Sequence, residues 1–310
     1  MSYGEGVIDT SRLRQAGRWI GLSLLSGGLY IFGFTFGLFL LPLQFVFERY
    51  EKHEKLYSLG LIGLVLIAYR LLQGGGVSLG LLTLFESFGM MGVVSVMEWG
   101  KGLKTDLRLA LAFVLGALVS APFVYFLSTD VEIREGLVEL LGVVFAQSEL
   151  LVDWNDITET LLHMMIRTYG FGVFFAGMLV VFIGKMWSGT SYRSLWRKSL
   201  SIYSVRTGGV WVLIAGWTVA LLDARFSLSV LGIVGWNVAL MAGSIYSLQG
   251  LGIIQAFFSG RGRDRSAPIG LIVFSLFIPG INGIVALGLP LLGVAETWVE
   301  FKSRKKESQE

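Results

Sequence analysis

Eight stretches of this 310-residue chain run for 16 to 35 residues almost without charge: Trp19–Phe47, Leu56–Leu72, Gly75–Met97, Leu107–Leu127, Thr168–Gly184, Thr207–Leu222, Phe226–Gly260 and Ser266–Ala295. One helical crossing of a bilayer needs about 20 apolar residues. The runs are continuous rather than alternating, which argues for helices and against a transmembrane barrel. Charged residues make up only 15% of the chain, against about 25% in average globular proteins. Charge keeps a soluble surface soluble, so a soluble enzyme, a coiled coil and a disordered chain are all excluded. The sequence reads as an all-α, polytopic helical membrane protein forming a single integral membrane domain over residues 1–310.

Loop charge sets the expected topology. Six basic clusters (Arg12 to Arg18, Arg49 to Lys55, Lys101 to Arg108, Lys185 to Arg206, Arg261 to Arg265 and Lys302 to Lys306) hold 21 of the 25 Lys and Arg residues. The segment 128–167 is the opposite, with eight acids against Arg134 and Arg167. Positive charge is retained on the cytoplasmic side. A cytoplasmic N-terminus (1–18), an extracytoplasmic acidic segment (128–167) and a cytoplasmic charged tail (302–310) satisfy every cluster. This arrangement requires Trp19–Phe47 to cross twice, or to form a re-entrant pair, turning near Gly33–Gly37. Ser266–Ala295 must turn likewise near Pro279–Gly280. About eight to ten membrane segments result, in the inner (plasma) membrane. Although Arg12, Arg14 and Arg18 lead into apolar sequence as in a signal peptide, 29 residues without a small-residue cleavage site read as a retained segment.

Within 128–167, Glu132, Glu135 and Glu139 share one helical face and Ile133, Leu137, Leu140, Leu141 and Val144 another. Asp156, Glu159, His163 and Arg167 form a second stripe against Ile157, Leu161 and Met165. Two amphipathic helices lying on the membrane surface or capping the bundle are expected here.

Few motifs carry chemistry. With no cysteine and two histidines, thiolate metal sites, disulfides and a histidine cage are excluded. No phosphate-binding glycine loop is present, since Gly100-Lys101 and Gly184-Lys185 lack both the upstream glycine and the following hydroxyl. ATP-driven transport would therefore need a partner ATPase. Asp153 and Asp156 are spaced to hold Mg²⁺ for an enzyme acting on a lipid-linked substrate. They also suit the start of the helix that follows, and no companion motif is in register. No enzymatic activity, metal or cofactor is expected. The basic and aromatic loop from Lys185 to Arg206 fits anionic lipid or an intracellular partner, not nucleic acid.

The candidate ligand contacts are polar residues in apolar runs. Glu86 stands at the midpoint of Gly75–Met97, where a charge costs about 2.5–3.5 kcal/mol on insertion scales. It reads as a ligand or proton site, or as a protonated side chain bonded to a neighbouring helix; Arg70 is a possible partner. Asn237, Gln249 and Asn282 read as interhelical glue or as substrate contacts. Asn282 follows Pro279–Gly280, where a broken helix would free backbone groups to bind a polar ligand. Small-residue spacings such as Ser23/Gly27 and Gly243/Ser247 allow close helix approach.

The last third carries Trp236-Asn237-Val238, then Ser247-Leu248-Gln249-Gly250-Leu251, and ends with Leu292-Gly293-Val294-Ala295-Glu296 and Phe301-Lys302. This stretch resembles the YybS-like family of bacterial membrane proteins, a domain of unknown function. Glu296 stands where that family has Asp, and Lys302 where it has Arg. The resemblance implies a distant fold-level relation to two groups. One is the substrate-binding S components of energy-coupling-factor transporters, which bind a small molecule and work with an ATPase and coupling module. The other is the rod-shape protein MreD, which scaffolds a cell-envelope complex. The spread of Glu86, Asn237, Gln249 and Asn282 through apolar helices favours a non-enzymatic, small-molecule-binding subunit.

Overall fold

The computed structural model describes residues 10–32, 37–73, 77–99, 102–131, 134–139, 154–187, 200–259 and 280–299, together with 272, 275 and 278. Among the described residues every regular element is a helix. In order these are α1 (Thr10–Ile31), a 3₁₀ turn (Leu38–Leu40), α2 (Leu41–Arg49), α3 (Lys52–Gln73), α4 (Val77–Trp99) and α5 (Thr105–Thr129). There follow α6 (Trp154–Trp187), α7 (Gly209–Phe226), α8 (Val230–Ser259) and α9 (Ile281–Val299). Among the described residues six stretches are long and apolar enough to cross a membrane: Lys52–Leu72, Leu107–Thr129, Thr158–Lys185, Gly209–Phe226, Val230–Phe258 and Ile281–Val299. Their outward faces are apolar, with Leu64, Leu118, Trp211, Leu231 and Leu291 each more than 60% exposed. This helix set is that of a multi-pass membrane protein by length and composition.

The helices gather into two compact units. The first holds Met1–Phe123 with Val173–Gly189, and the second holds Val124–Gly172 with Thr190–Glu310. In the first, α1 ends at Ile31, and Gly37, at the end of the expected turn, has a φ of 79°, in the left-handed region open to glycine; residues 33–36 lie outside the described residues. The limb that follows differs from a crossing helix: Leu38–Arg49 spans only about 18 Å of helix axis, short of the hydrocarbon thickness of about 30 Å. Its Phe39, Leu40, Leu43 and Phe47 are buried in protein.

Glu54 starts α3 by accepting the Glu51 backbone N–H at 2.9 Å, the returning arm of a capping box. Its other oxygen accepts from Gln15 Nε2 of α1 at 3.1 Å. Trp19 stacks on Tyr57, and Gly27 lies so close to α3 that a Cβ there would sit 2.5 Å from Val65 Cγ1. The Ser23/Gly27 face is therefore internal packing. Gly89 of α4 meets Val119 of α5 in the same way.

The second unit is built on two antiparallel backbone contacts. A Cβ at Gly216 would lie 2.7 Å from the Ala239 nitrogen, one at Gly235 3.0 Å from the Ala220 nitrogen, and one at Gly232 2.1 Å from the Asp223 carboxylate. The residue pairs step in register, so α7 and α8 touch along their whole hairpin. Ser227 closes α7 in the left-handed region, its N–H bonded to Asp223 O. The α8–α9 crossing repeats the device at Gly250 against Leu289 O and Gly293 against Tyr246 O.

The run Phe226–Gly260 contains one unbroken 30-residue helix, α8. One long element differs from the expected division. The stripe carrying Asp156, Glu159, His163 and Arg167 is not a separate surface helix, because α6 runs unbroken for 34 residues from Trp154 to Trp187. The expected boundary rested on the charge of Arg167, and Asp223 neutralises that charge inside the fold. Of the other amphipathic stripe, residues 134–139 are helical; Glu132, Ile133 and 140–144 lie outside the described residues. So does most of the first limb of Ser266–Ala295, but Gly280, with φ 86°, breaks the chain where a turn was expected.

Candidate functional site

Glu86 belongs to the first unit and Asn237, Gln249 and Asn282 to the second. Glu86 is half-buried on a stripe of α4 that presents Thr83, Glu86, Ser87 and Met90 one turn apart. These four line a half-open cavity of about 70 Å³, closed opposite by Tyr30 in the last turn of α1 and by Gly37 and Phe39 at the start of the short limb. Ser87 Oγ gives its proton to the Thr83 carbonyl at 2.8 Å, which leaves its lone pairs free. The rings of Tyr30 and Phe39 meet edge-on, centroids 5.2 Å apart. The mid-helix carboxylate that the sequence singled out thus shares a cavity with Tyr30 of α1 and with Gly37 and Phe39 of the short limb.

The buried amides do other things. Asn237 Nδ2 donates to Arg167 O at 2.6 Å and to Ile233 O at 2.7 Å, while its Oδ1 accepts the Phe171 N–H at 2.5 Å. Arg167 O and Phe171 N are four residues apart on α6, the two groups a helix normally joins to each other. Asn237 sits astride that rung and ties α8 to α6. Gln249 accepts from Val205 N at 2.6 Å and donates to Gly293 O at 2.9 Å. It therefore holds the close crossing made by Gly250 and Gly293. Leu248 precedes Gln249 on α8, and Glu296 is buried one turn beyond Gly293. Phe301 and Lys302 lie outside the described residues. Asn282 is exposed, and its Oδ1 accepts the adjacent Gly283 N–H. Asp153 lies outside the described residues and Asp156 falls in the first turn of α6. Among the described residues no group of three or more His, Asp or Glu side chains is placed to hold a metal ion.

Two buried ion pairs were not singled out from the sequence. In the first unit Glu98, 3% exposed, accepts from Gln44 Nε2 at 2.9 Å and pairs with Lys185 Nζ at 3.0 Å. In the second, Asp223, 1% exposed, pairs with Arg167 Nε at 2.6 Å and accepts from Trp236 Nε1 at 3.2 Å. Arg167 also bonds His163 one turn back. Each of the four charges stands one residue outside an apolar run: Glu98 after Met97, Arg167 before Thr168, Lys185 after Gly184 and Asp223 after Leu222. Opposite charges at run ends were the available signal.

Comparison of the chain with known protein families, curated proteins and solved structures gives no match.

Proposed function

We propose that this chain is a non-enzymatic membrane subunit that binds a small polar ligand at Glu86, in the manner of a transporter S component. The observation that carries the reading is the cavity on Glu86 at the break between α1 and the short limb. A carboxylate in mid-membrane is expensive to insert, and interrupted helices expose the polar backbone that binds ions and small solutes. The convergence of Gln249, Gly250 and Gly293 at one helix crossing supports a packing role for those residues of the C-terminal motif.

The expected inner-membrane topology, with both ends cytoplasmic, is supported by where the ion pairs stand. Glu98 and Lys185 adjoin basic loops, whereas Arg167 adjoins the acidic segment. A second reading is an MreD-like scaffold. It is favoured by the use of Asn237 and Gln249 as helix ties, which removes two of the four proposed ligand contacts.

Pull-down of the tagged protein from its native membrane in mild detergent, with mass spectrometry of its companions, separates the two. Recovery of an ATPase and a coupling subunit is expected. Recovery of cell-wall or division proteins instead would overturn the S-component reading in favour of the scaffold.

A further inference from the structure

We infer that the outward face of α1 binds an anionic phospholipid, with the phosphate on Arg14 and Arg18 and the acyl chains along Gly21, Leu24 and Leu25. This face begins at the opposite end of α1 from Tyr30 and the Glu86 cavity. Gln15 bonds Glu54 at 3.1 Å, Trp19 stacks on Tyr57, Gly27 abuts Val65, and the rings of Tyr30 and Tyr69 meet edge-on. The offset between these partners stays at 38 or 39 residues, so α1 and α3 run parallel. Because α3 is long and apolar enough to cross a membrane, the start of α1 stands at the membrane end where α3 begins.

That end is basic. α2 finishes there with Arg49, and the Glu51 N–H bonds the Glu54 carboxylate at the start of α3. Over residues 1–55 six Lys and Arg outnumber five Asp and Glu. Exposure sharpens the difference: Arg14, Arg18, Arg49 and Lys52 are exposed, whereas Glu54, bonded to Gln15, is buried and Glu51 pairs with His53. Bases clustered at one membrane end attract anionic headgroups.

Along α1 the exposed face has the order of a phospholipid. Arg14 and Arg18 stand one turn apart on it, and guanidinium forks bind phosphate oxygens in pairs. Gly17 and Gly21 share the face, with open space where a side chain would stand. Small residues let an apolar partner lie close to the helix backbone. Leu24 and Leu25 follow, each about half exposed. From Arg18 to Leu25 is about 10 Å of helix axis, more than the roughly 5–7 Å of headgroup layer flanking the hydrocarbon. The stack of Trp19 on Tyr57 adjoins Arg18 at the depth of an aromatic belt. Charge selects the lipid over a second copy of the chain. Two copies in one membrane share an orientation, so pairing on this face would set Arg14 and Arg18 against the same two residues, and like charges repel.

The test is thermal unfolding of the purified full chain in detergent micelles titrated with phosphatidylglycerol or phosphatidylcholine. The proteins are wild type, Arg14→Gln, Arg18→Gln, Gly21→Leu and, at an exposed base outside α1, Lys104→Gln. Phosphatidylglycerol is expected to raise the wild-type midpoint saturably above that in phosphatidylcholine. The half-saturating concentration should rise about fivefold for each arginine removed, the effect of one base near an anionic surface. It should also rise in Gly21→Leu and stay unchanged in Lys104→Gln. Equal wild-type midpoints in the two lipids overturn the inference. An equal rise in Lys104→Gln marks unspecific surface charge and overturns it as well. A dimer without added lipid that Gly21→Leu disperses, read by light scattering, puts a second copy on the face and rules out the lipid. Should the arginine variants fail to fold, native mass spectrometry of wild type and Gly21→Leu gives the decision. Less phosphatidylglycerol retained by Gly21→Leu supports the site, and equal retention overturns it.

Discussion

Arg167→Met should be among the most damaging single substitutions in the chain. Asp223 has no side-chain exposure, and the Arg167 guanidinium is 2.6 Å from it. Removing the cation leaves a carboxylate buried against Trp236 and the Gly232 backbone. Breaking a buried pair in this way costs about 3–5 kcal/mol. Removing the acid instead is milder, because the Arg167 side chain is 23% exposed and can turn its head toward water. Asp223→Asn keeps an acceptor for Trp236 and should cost about 1.5–3 kcal/mol, the range for hydrogen bonds to charged groups. The double variant should be less damaged than Arg167→Met alone, since no charge is left stranded. Unfolding of the four proteins in mixed detergent micelles closes the cycle. An Arg167→Met loss below about 1 kcal/mol, or strictly additive single effects, would refute the pair as a buried tie.

Other substitutions test the packing and the topology. Gly293→Ala and Gly250→Ala place a methyl 2.0 and 2.3 Å from backbone carbonyl oxygens; each should cost about 1–3 kcal/mol, read as a lowered unfolding midpoint. Asn237→Leu strands Arg167 O and Phe171 N and should lose about 1–3 kcal/mol, whereas Asn282→Ala at its exposed position should stay within about 0.5 kcal/mol. The chain has no cysteine, so a single introduced thiol is a unique label. Glu135→Cys should react with an impermeant maleimide in intact cells, and Lys104→Cys only after permeabilisation; the reverse pattern would invert the proposed orientation.

Helix positions were legible because absence of charge over 16 residues or more has one physical explanation in a chain this poor in charge. Gly37 and Gly280 were legible as breaks, each being a glycine that adopts a positive φ. What the second limb after Gly37 would become was less legible, since 29 apolar residues are consistent with two short crossings or with one helix and a buried half-helix. Spans were cut at charges, and this hid α6. Arg167 looks like a boundary until Asp223, 56 residues later, is known to meet it. Asn237 and Gln249 were visible as polar residues in apolar helices, but their partners are backbone groups, which leave no trace in residue identity. The Gly216/Ala239 and Gly235/Ala220 contacts were obscured for another reason: with 41 glycines, small-residue spacings recur too often to single out a crossing.

One comparison tests whether Glu86 differs from the amides in what it holds together. Thermal unfolding of Glu86→Gln and Asn237→Leu beside wild type, with no ligand added, measures whether the Glu86 carboxylate serves binding or packing. A group retained for binding at a half-open cavity contributes little to the empty protein and can even detract from its stability. Glu86→Gln should therefore unfold within about 1 kcal/mol of wild type, or above it, while Asn237→Leu falls well below. A Glu86→Gln loss as large as that of Asn237→Leu would make Glu86 one more interhelical tie and contradict the binding site.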